Sequence, residues 1–359
     1  MRICFIFISD KKGAWILKRY ALLILTVFLL LLLIPLPALG ILGEDKPPVS
    51  SSVGESSYPK GSKPSPSSSP SSHTEGDSFK VLDEKTGEVM EIGVRDFLIG
   101  TVSSEMYPTY HVEAMKAQAV ASYTYYTVQR IRQQKNPNPD LKGADFSDVP
   151  STFPETYTQE GLKKRWGDRF DEYYKKVCEA VDAVWGKRLE YEGEPILAAY
   201  HAISFGTTED AVNVWGEGYP YLVSVPSPGD KLSPDFASTV TFTPEEFTQG
   251  LKTVFPDCVL EGDADTWIAP EITRSEAGTV TAIKVGGIAC TGRQIRTALG
   301  LRSACFTVEY KNDGFTFQVE GYGHGVGMSQ YGADYLARQG SNWEEILHHY
   351  YTGAEIADA

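Results

Sequence analysis

Residues 79–134 read FKVLDEKTGEVMEIGVRDFLIGTVSSEMYPTYHVEAMKAQAVASYTYYTVQRIRQQ, and a change of pattern inside that stretch decides the fold. FKVLDEKTGEVMEI reads as two short strands joined at a turn near Lys85 to Gly87. VRDFLIGTVSSEM then places Phe97, Leu98, Val102 and Met106 at helical spacing. A second, longer helix runs through HVEAMKAQAVASYTYYTVQRIRQQ, with Pro137 beyond its end. Working outward, a third helix is predicted over roughly Phe170 to Val184. Strands follow in RLEYEG, ILAAYHAIS, YLVSVPS, TVTAIKVGG and FTFQVEGYG. MSQYGADYLARQG closes the pattern as a helix, with Gly340 as its C-terminal cap. Helices early and strands late indicate an α+β fold, with mixed helices and antiparallel strands around one cleft. No internal repeat is visible.

The chain has 359 residues, 42% hydrophobic and 22% charged, with a formal net charge of −14. That is enough apolar material for a sizeable core, and the charge argues against a nucleic-acid partner, because an acidic chain gains little from counterion release. The charge is unevenly placed. Residues 1–20 form a basic segment with Arg2, Lys11, Lys12, Lys18 and Arg19 against Asp10. Residues 21–42, ALLILTVFLLLLLIPLPALGIL, carry no charge and match the ~20 residues a helix needs to cross a bilayer. The preceding basic residues predict a cytoplasmic N-terminus, a single membrane pass at the cell membrane and an extracytoplasmic C-terminal part. Ala38 and Gly40 have the spacing that a signal peptidase reads, yet the apolar run is longer than most cleaved signals, which favours an uncleaved anchor. Residues 43–78 are dominated by Ser and Pro and are predicted to be a disordered tether, about 33 Å in r.m.s. reach. The remaining segment, 79–359, carries −16.

Three segments of this domain could bear chemistry. Glu105 falls at the C-terminal end of its helix beside Met106, Tyr107 and Pro108, where the helix dipole and apolar neighbours both disfavour an anion. A carboxyl with a raised pKa suits a general acid that gives up a proton and takes one back. The second segment, GYGHGVGMSQYGA, spends Gly321, Gly323, Gly325, Gly327 and Gly332 around His324, Ser329, Gln330 and Tyr331. Bare backbone there serves either the close approach of a ligand or a tight crossing of the chain. Its spacing lacks the lysine of a phosphate loop and the context of a dinucleotide fingerprint. The third, AYHAISFGTTED, offers His201 and Ser204, but without the G-x-S-x-G elbow of a hydrolase; it reads as a sugar-contacting loop or as a solvated strand end.

Cys178, Cys258, Cys290 and Cys305 admit three disulfide pairings, or serve as buried small hydrophobes. No metal-ligand spacing such as HExxH occurs. EGDADTW, around Asp263 and Asp265, lacks the glycine and glutamate that a calcium loop requires, so it reads as a solvated loop.

LIGTVSSEMYPTYHVEAMKAQAVASYTYY, YHAISFGTTEDAVNVWG, YPYLVSVPSPGDKLSPDF, GRQIRTALGL and GYGHGVGMSQYGADYLARQGSNWEEILHHYYTG resemble, in the same order, the stage II sporulation protein D family. The resemblance covers essentially Phe79 to Ile356. It implies a lytic transglycosylase that cleaves peptidoglycan strands stripped of their stem peptides, leaves 1,6-anhydro-muramic acid ends, and works during sporulation engulfment with a cell-wall amidase and membrane proteins. It implies that Glu105 is catalytic, and that Lys116, Gln118, Tyr123, Tyr200 and His201 contact substrate together with Ser204, His324, Ser329, Gln330 and Tyr331. No cofactor is implied. Relatives of this domain also occur as amidase enhancers, which makes a non-catalytic, peptidoglycan-binding enhancer the alternative.

The sequence departs from the family pattern in places. Tyr123 stands where an arginine is expected on the cleft-facing side of the helix, Phe205 where a glycine follows the serine, and Gly229 where tryptophan is common. Some relatives bind zinc in the segment before the central strand; here Asp145 to Trp166 contains neither cysteine nor histidine, so no structural zinc is expected.

Overall fold

A computed structural model describes residues 77–148 and 158–359. The expected anchor, nearly all of the expected tether, and residues 149–157 of the stretch discussed for zinc lie outside the described residues. Among the described residues, no helix is long and apolar enough to cross a membrane.

The elements run β1 (Ser78–Asp83), β2 (Val89–Gly93), α1 (Val94–Glu105), α2 (Val112–Lys135), β3 (Phe146–Asp148), α3 (Gln159–Trp166), α4 (Phe170–Ala183), β4 (Lys187–Tyr191), β5 (Glu194–Pro195), β6 (Tyr200–His201) and α5 (Ala211–Trp215). They continue as β7 (Ala237–Phe242), α6 (Pro244–Val254), β8 (Thr273–Arg274), β9 (Val280–Val285), β10 (Ile288–Cys290), α7 (Gly292–Leu299), β11 (Phe306–Lys311), β12 (Gly314–Glu320), β13 (Met328–Ser329), α8 (Gln330–Arg338), α9 (Trp343–Tyr350) and β14 (Glu355–Asp358). The expected hairpin forms: β1 and β2 pair antiparallel, and Asp83 holds the turn by accepting from Lys85 N at 2.8 Å and Thr86 Oγ1 at 2.8 Å. The three early helices form where the periodicity placed them.

The sheets are several and small, in a mixed α/β arrangement. β1 pairs with β3 in parallel, and β6 with β13 in parallel, so the expectation of antiparallel strands alone is corrected. Late in the chain helices recur as well, α8 and α9 following β13, and the last element is the strand β14 rather than a helix. Most of ILAAYHAIS and all of YLVSVPS are irregular rather than strands. Ala198 and Ala199 donate their N–H groups only two residues back, and Leu197 N donates to the Tyr221 hydroxyl at 3.2 Å, so those amides are satisfied without a ladder.

Among the described residues, two hydrophobic cores carry the fold. The larger surrounds α2, whose Ala114, Ala117, Ala119 and Ala121 are buried and let α1, α4, α8 and α9 approach closely. The smaller belongs to residues 247–319, where Phe247 stacks on Phe315 at 4.2 Å and β11–β12–β7 cover it. Cys178, Cys258, Cys290 and Cys305 are all free thiols, buried or half-buried, and burial pushes the Cys305 thiol up to about 11. Of the two readings left open for them, the structure takes the small hydrophobe.

Candidate active site around Glu105

α1 ends at Glu105 because Met106 turns to extended backbone and Pro108 follows. The loop after it is pinned from two sides. Lys176 on α4 donates to Pro108 O at 3.0 Å and Tyr110 O at 2.5 Å, and His111 N donates to Asp334 Oδ1 on α8 at 2.6 Å. Burial lowers the Lys176 pKa, while Asp334 opposes that shift. Glu105 is thus a half-buried carboxyl at the end of a rigid helix.

Four of the expected residues lie on or beside it. Gln330, the first residue of α8, donates from Nε2 to Glu105 Oε2 at 3.0 Å and to Gln118 Oε1 at 3.3 Å. Gln118 in turn donates to Ser122 Oγ at 2.9 Å, one turn along α2. Tyr200 is fully buried, and its phenol is raised well above its ordinary value by burial and then by the charge of Glu105. Tyr331 follows Gln330 and packs edge-on to Tyr110 at 6.3 Å, with Tyr107 at 5.4 Å from Tyr110. Tyr107 and Tyr110 lie in the loop that follows Glu105, and Tyr331 packs onto that loop.

Ser204 and Ser329 meet on a residue that sequence reading did not single out. Asp230, fully buried, accepts from Ser204 Oγ and from Ser204 N at 3.0 Å through Oδ2, and from Ser329 Oγ at 2.8 Å through Oδ1. Burial raises its pKa against the pull of those hydrogen bonds. Ser329 also caps α8, accepting from Gly332 N at 3.2 Å, so Asp230 fixes the start of the helix that presents Gln330.

His201 and His324 pack 5.6 Å apart, His201 buried and His324 half-buried. His201 Nδ1 lies 3.1 Å from Val326 O, and His324 Nδ1 accepts from Val326 N at 3.1 Å. Burial lowers His201 to about 4 and His324 well below its ordinary value, so both are neutral in the fold. The sign follows from proton counting. Between the ordinary 6.5 and about 4 the unfolded chain binds a proton that folded His201 refuses, so the contribution is complete above 6.5 and is lost as pH falls through that window. About 3 kcal/mol should be lost at this residue. Urea unfolding at the two ends of the window should show it, with His201→Gln giving a shallower pH dependence than wild type.

The glycines serve a tight crossing. A Cβ on Gly321 or Gly325 would lie 2.6 or 2.8 Å from the Phe205 ring, and one on Gly327 would lie 2.0 Å from Ala199 O. Phe205, the departure from the family glycine, therefore sits against the bare backbone of this loop. Gly229 has a matching explanation: a Cβ there would meet the Tyr335 ring at 2.2 Å, so Tyr335 fills the space a tryptophan side chain would need.

Two expected residues lie elsewhere. Lys116 pairs with Glu113 at 2.7 Å, and Glu113 also accepts from Trp343 N at 3.0 Å, tying α2 to α9. Tyr123 is 4% exposed and lines a small cavity with Val94, Leu98, Ala119, Val181 and Val184, none of which belongs to the Glu105 cluster. It was expected on the cleft-facing side of the helix; in the structure it lines this cavity. One turn from Ala119, its ring is directed against α1 and α4. Glu209 and Asp210 are structural: Glu209 accepts from Asn213 Nδ2 at 2.9 Å and Ser275 Oγ at 2.5 Å, and Asp210 caps α5 through Val212 N at 3.0 Å. Among the described residues, no group of three or more metal-ligating side chains occurs.

Residues 82–191 match the family model SpoIID, stage II sporulation protein. The chain is 37% identical over 302 residues to stage II sporulation protein D of Bacillus amyloliquefaciens, covering 84% of this chain and 83% of that one. It is 34% identical over 344 residues to the protein of the same name from Bacillus subtilis, covering 96% and 97%. It is also 25% identical over 309 residues to the amidase enhancer of Bacillus subtilis, covering 72% of this chain and 40% of that one.

Proposed function

Because the chain belongs to the stage II sporulation protein D family, and so is a sporulation protein, we propose that it is a membrane-anchored lytic transglycosylase acting on peptidoglycan strands that lack stem peptides. The observation that carries this reading is the Glu105 carboxyl at the end of α1, held by Gln330 from a helix that begins 225 residues later. In the proposed reaction the Glu105 carboxyl donates its proton to the glycosidic oxygen as the bond to muramic acid C1 breaks. The same carboxylate then accepts the proton of the muramic acid 6-hydroxyl, whose oxygen bonds to C1 and closes the 1,6-anhydro ring. Glu105 ends protonated again and no water is consumed, so one carboxyl suffices where a glycosidase uses two. The structural commitments of Glu209 and Asp210 support that economy, since neither is needed to activate water.

Gln330 and Gln118 orient the carboxyl, and Tyr107, Tyr110 and Tyr331 offer flat faces to sugar rings. His201, Ser204, His324 and Ser329 act behind this, shaping the loop and helix that position Gln330. In this reading the segment 21–42 anchors the protein in the cell membrane, and the glycan is supplied by an amidase that removes the peptides. The test is incubation of the full-length protein with denuded and with peptide-bearing glycan: 1,6-anhydro ends should accumulate from the denuded strands, and none from either substrate defeats the proposal. The likeness to an amidase enhancer favours a second reading, binding without cleavage. It requires stimulation of a cell-wall amidase by Glu105→Ala as strong as that by wild type.

A further inference from the structure

The last turn of α1 is completed from outside the helix. Val102 O accepts from Met106 N at 3.0 Å, and the next carbonyl, Ser103 O, accepts from Arg165 Nη1 of α3 at 2.9 Å across 62 residues of chain. A helix leaves its last carbonyls without intrahelical partners and gathers the negative end of its dipole there, so a cation at that end is favourable. α1 brings none of its own, since its last turn holds no basic residue. Ser103 stands two residues before Glu105, about 3 Å along the helix axis. The guanidinium of Arg165 therefore meets the same helix end from which the Glu105 carboxyl projects.

The sequence of α3 explains how Arg165 comes to be there. Thr158 Oγ1 caps the start of that helix by accepting from Gly161 N at 3.1 Å, and Leu162 and Trp166, four residues apart on one face, are buried. Trp166 packs edge-on to Tyr173 of α4 at 5.8 Å. Arg165, half-buried next to this anchor, is thereby delivered to α1, whereas Lys163 in the same turn lies over the Phe170 ring at 5.1 Å. The charged groups on the other elements near Glu105 have commitments of their own. Lys176 on α4 holds Pro108 O and Tyr110 O, Asp334 on α8 takes His111 N and Arg338, and Lys116 on α2 pairs with Glu113. His111 Nδ1 accepts from Glu113 N at 3.3 Å. Burial raises the phenols of Tyr110, Tyr200 and Tyr331, which stay neutral.

We propose that Arg165 is a positioning residue for Glu105: it closes the last turn of α1 and places a positive charge at the helix end that carries the carboxyl. The inference rests on the reading of Glu105 as the acid and base of the reaction and deepens it. The helix dipole by itself opposes the carboxylate that must form midway and then collect the proton of the 6-hydroxyl. A cation on the last turn offsets that opposition, so the group can both release a proton and regain it.

The test uses two readouts on the full-length protein in detergent. One is titration of the Glu105 carboxyl by carbon NMR of side-chain-labelled glutamate, assigned with Glu105→Gln; the other is the pH profile of kcat on denuded glycan. In Arg165→Gln the carboxyl should titrate about half a pH unit higher than in wild type, the scale of one charge at a helix end. Because the first step needs the protonated acid, the alkaline limb of the kcat profile should move up by the same amount, with kcat at its optimum about fivefold lower and KM unchanged. Arg165→Lys keeps the charge and a donor for Ser103 O, and should restore the titration and most of kcat. Lys163→Gln makes the same change of charge one turn's width away, over Phe170, and should match wild type in both readouts. An unmoved carboxyl in Arg165→Gln, or an equal shift in Lys163→Gln, overturns the inference even if 1,6-anhydro ends still form. A carboxyl that shifts as expected in a protein forming no such ends would uphold the role of Arg165 and defeat the catalytic reading alone.

Discussion

Glu105→Gln should reduce kcat on denuded glycan by roughly 10³-fold with KM close to wild type, as expected when a general acid–base group is lost and the shape of the site is kept. The amide has no proton to lend to the glycosidic oxygen and cannot accept one from the 6-hydroxyl, so both halves of the reaction suffer. It can still sit against Gln330, whose contact to Glu105 is 3.0 Å in the native protein. Gln330→Ala should cost much less, about tenfold, because it leaves the proton donor and removes only its orientation. Steady-state release of soluble fragments measures both. An equal loss in the two variants would mean that the site had collapsed rather than lost its acid.

The second large effect falls on stability. Asp230→Ala should destabilise the domain by roughly 3 to 5 kcal/mol, because it leaves Ser204 and Ser329 buried without their common acceptor. Asp230→Asn should cost no more than about 1.5 kcal/mol: its oxygen can serve Ser329, its amide can donate to Ser204 Oγ, and only Ser204 N loses its acceptor. The raised pKa of Asp230 sharpens the comparison. An acid whose folded pKa lies above its ordinary 3.8 favours folding most below that value and loses this contribution as pH rises through the folded pKa, so a neutral amide suffers least near neutrality. Urea unfolding of the three proteins at neutral pH checks the order. Since Ser329 caps the helix that begins with Gln330, the Ala variant should also lose activity under conditions where it remains folded.

The early helices and the hairpin were legible because period, turn residues and the proline beyond Lys135 all agreed. The parallel pairing of Tyr200–His201 with Met328–Ser329 was not, since nothing local in either segment names a partner more than a hundred residues away. The apolar run ILAAY reads alike as a buried strand or as irregular core, and only the Tyr221 hydroxyl, which takes up the Leu197 amide, decides between them. Glu105 and Gln330 were both singled out, one by its helix end and one by its glycine-rich neighbourhood. Asp230 was missed for a physical reason: its partners lie 26 and 99 residues away, and a lone aspartate in a proline-flanked turn carries no periodic mark. The place of Tyr123 was not legible, because an arginine in relatives suggested a polar face while its own ring and its spacing from Ala119 fit the core it is buried in. The glycine-rich loop kept two readings open until Phe205 was seen against Gly321 and Gly325.

The most direct measurement of the single-carboxyl mechanism is mass spectrometry of the cleaved ends after reaction in water enriched in heavy oxygen. Glu105 acting alone predicts muramic acid ends lighter by one water than reducing ends and free of the isotope, formed by wild type and absent with Glu105→Gln. Reducing ends carrying the heavy oxygen would contradict it, because they require a water molecule activated by a second base.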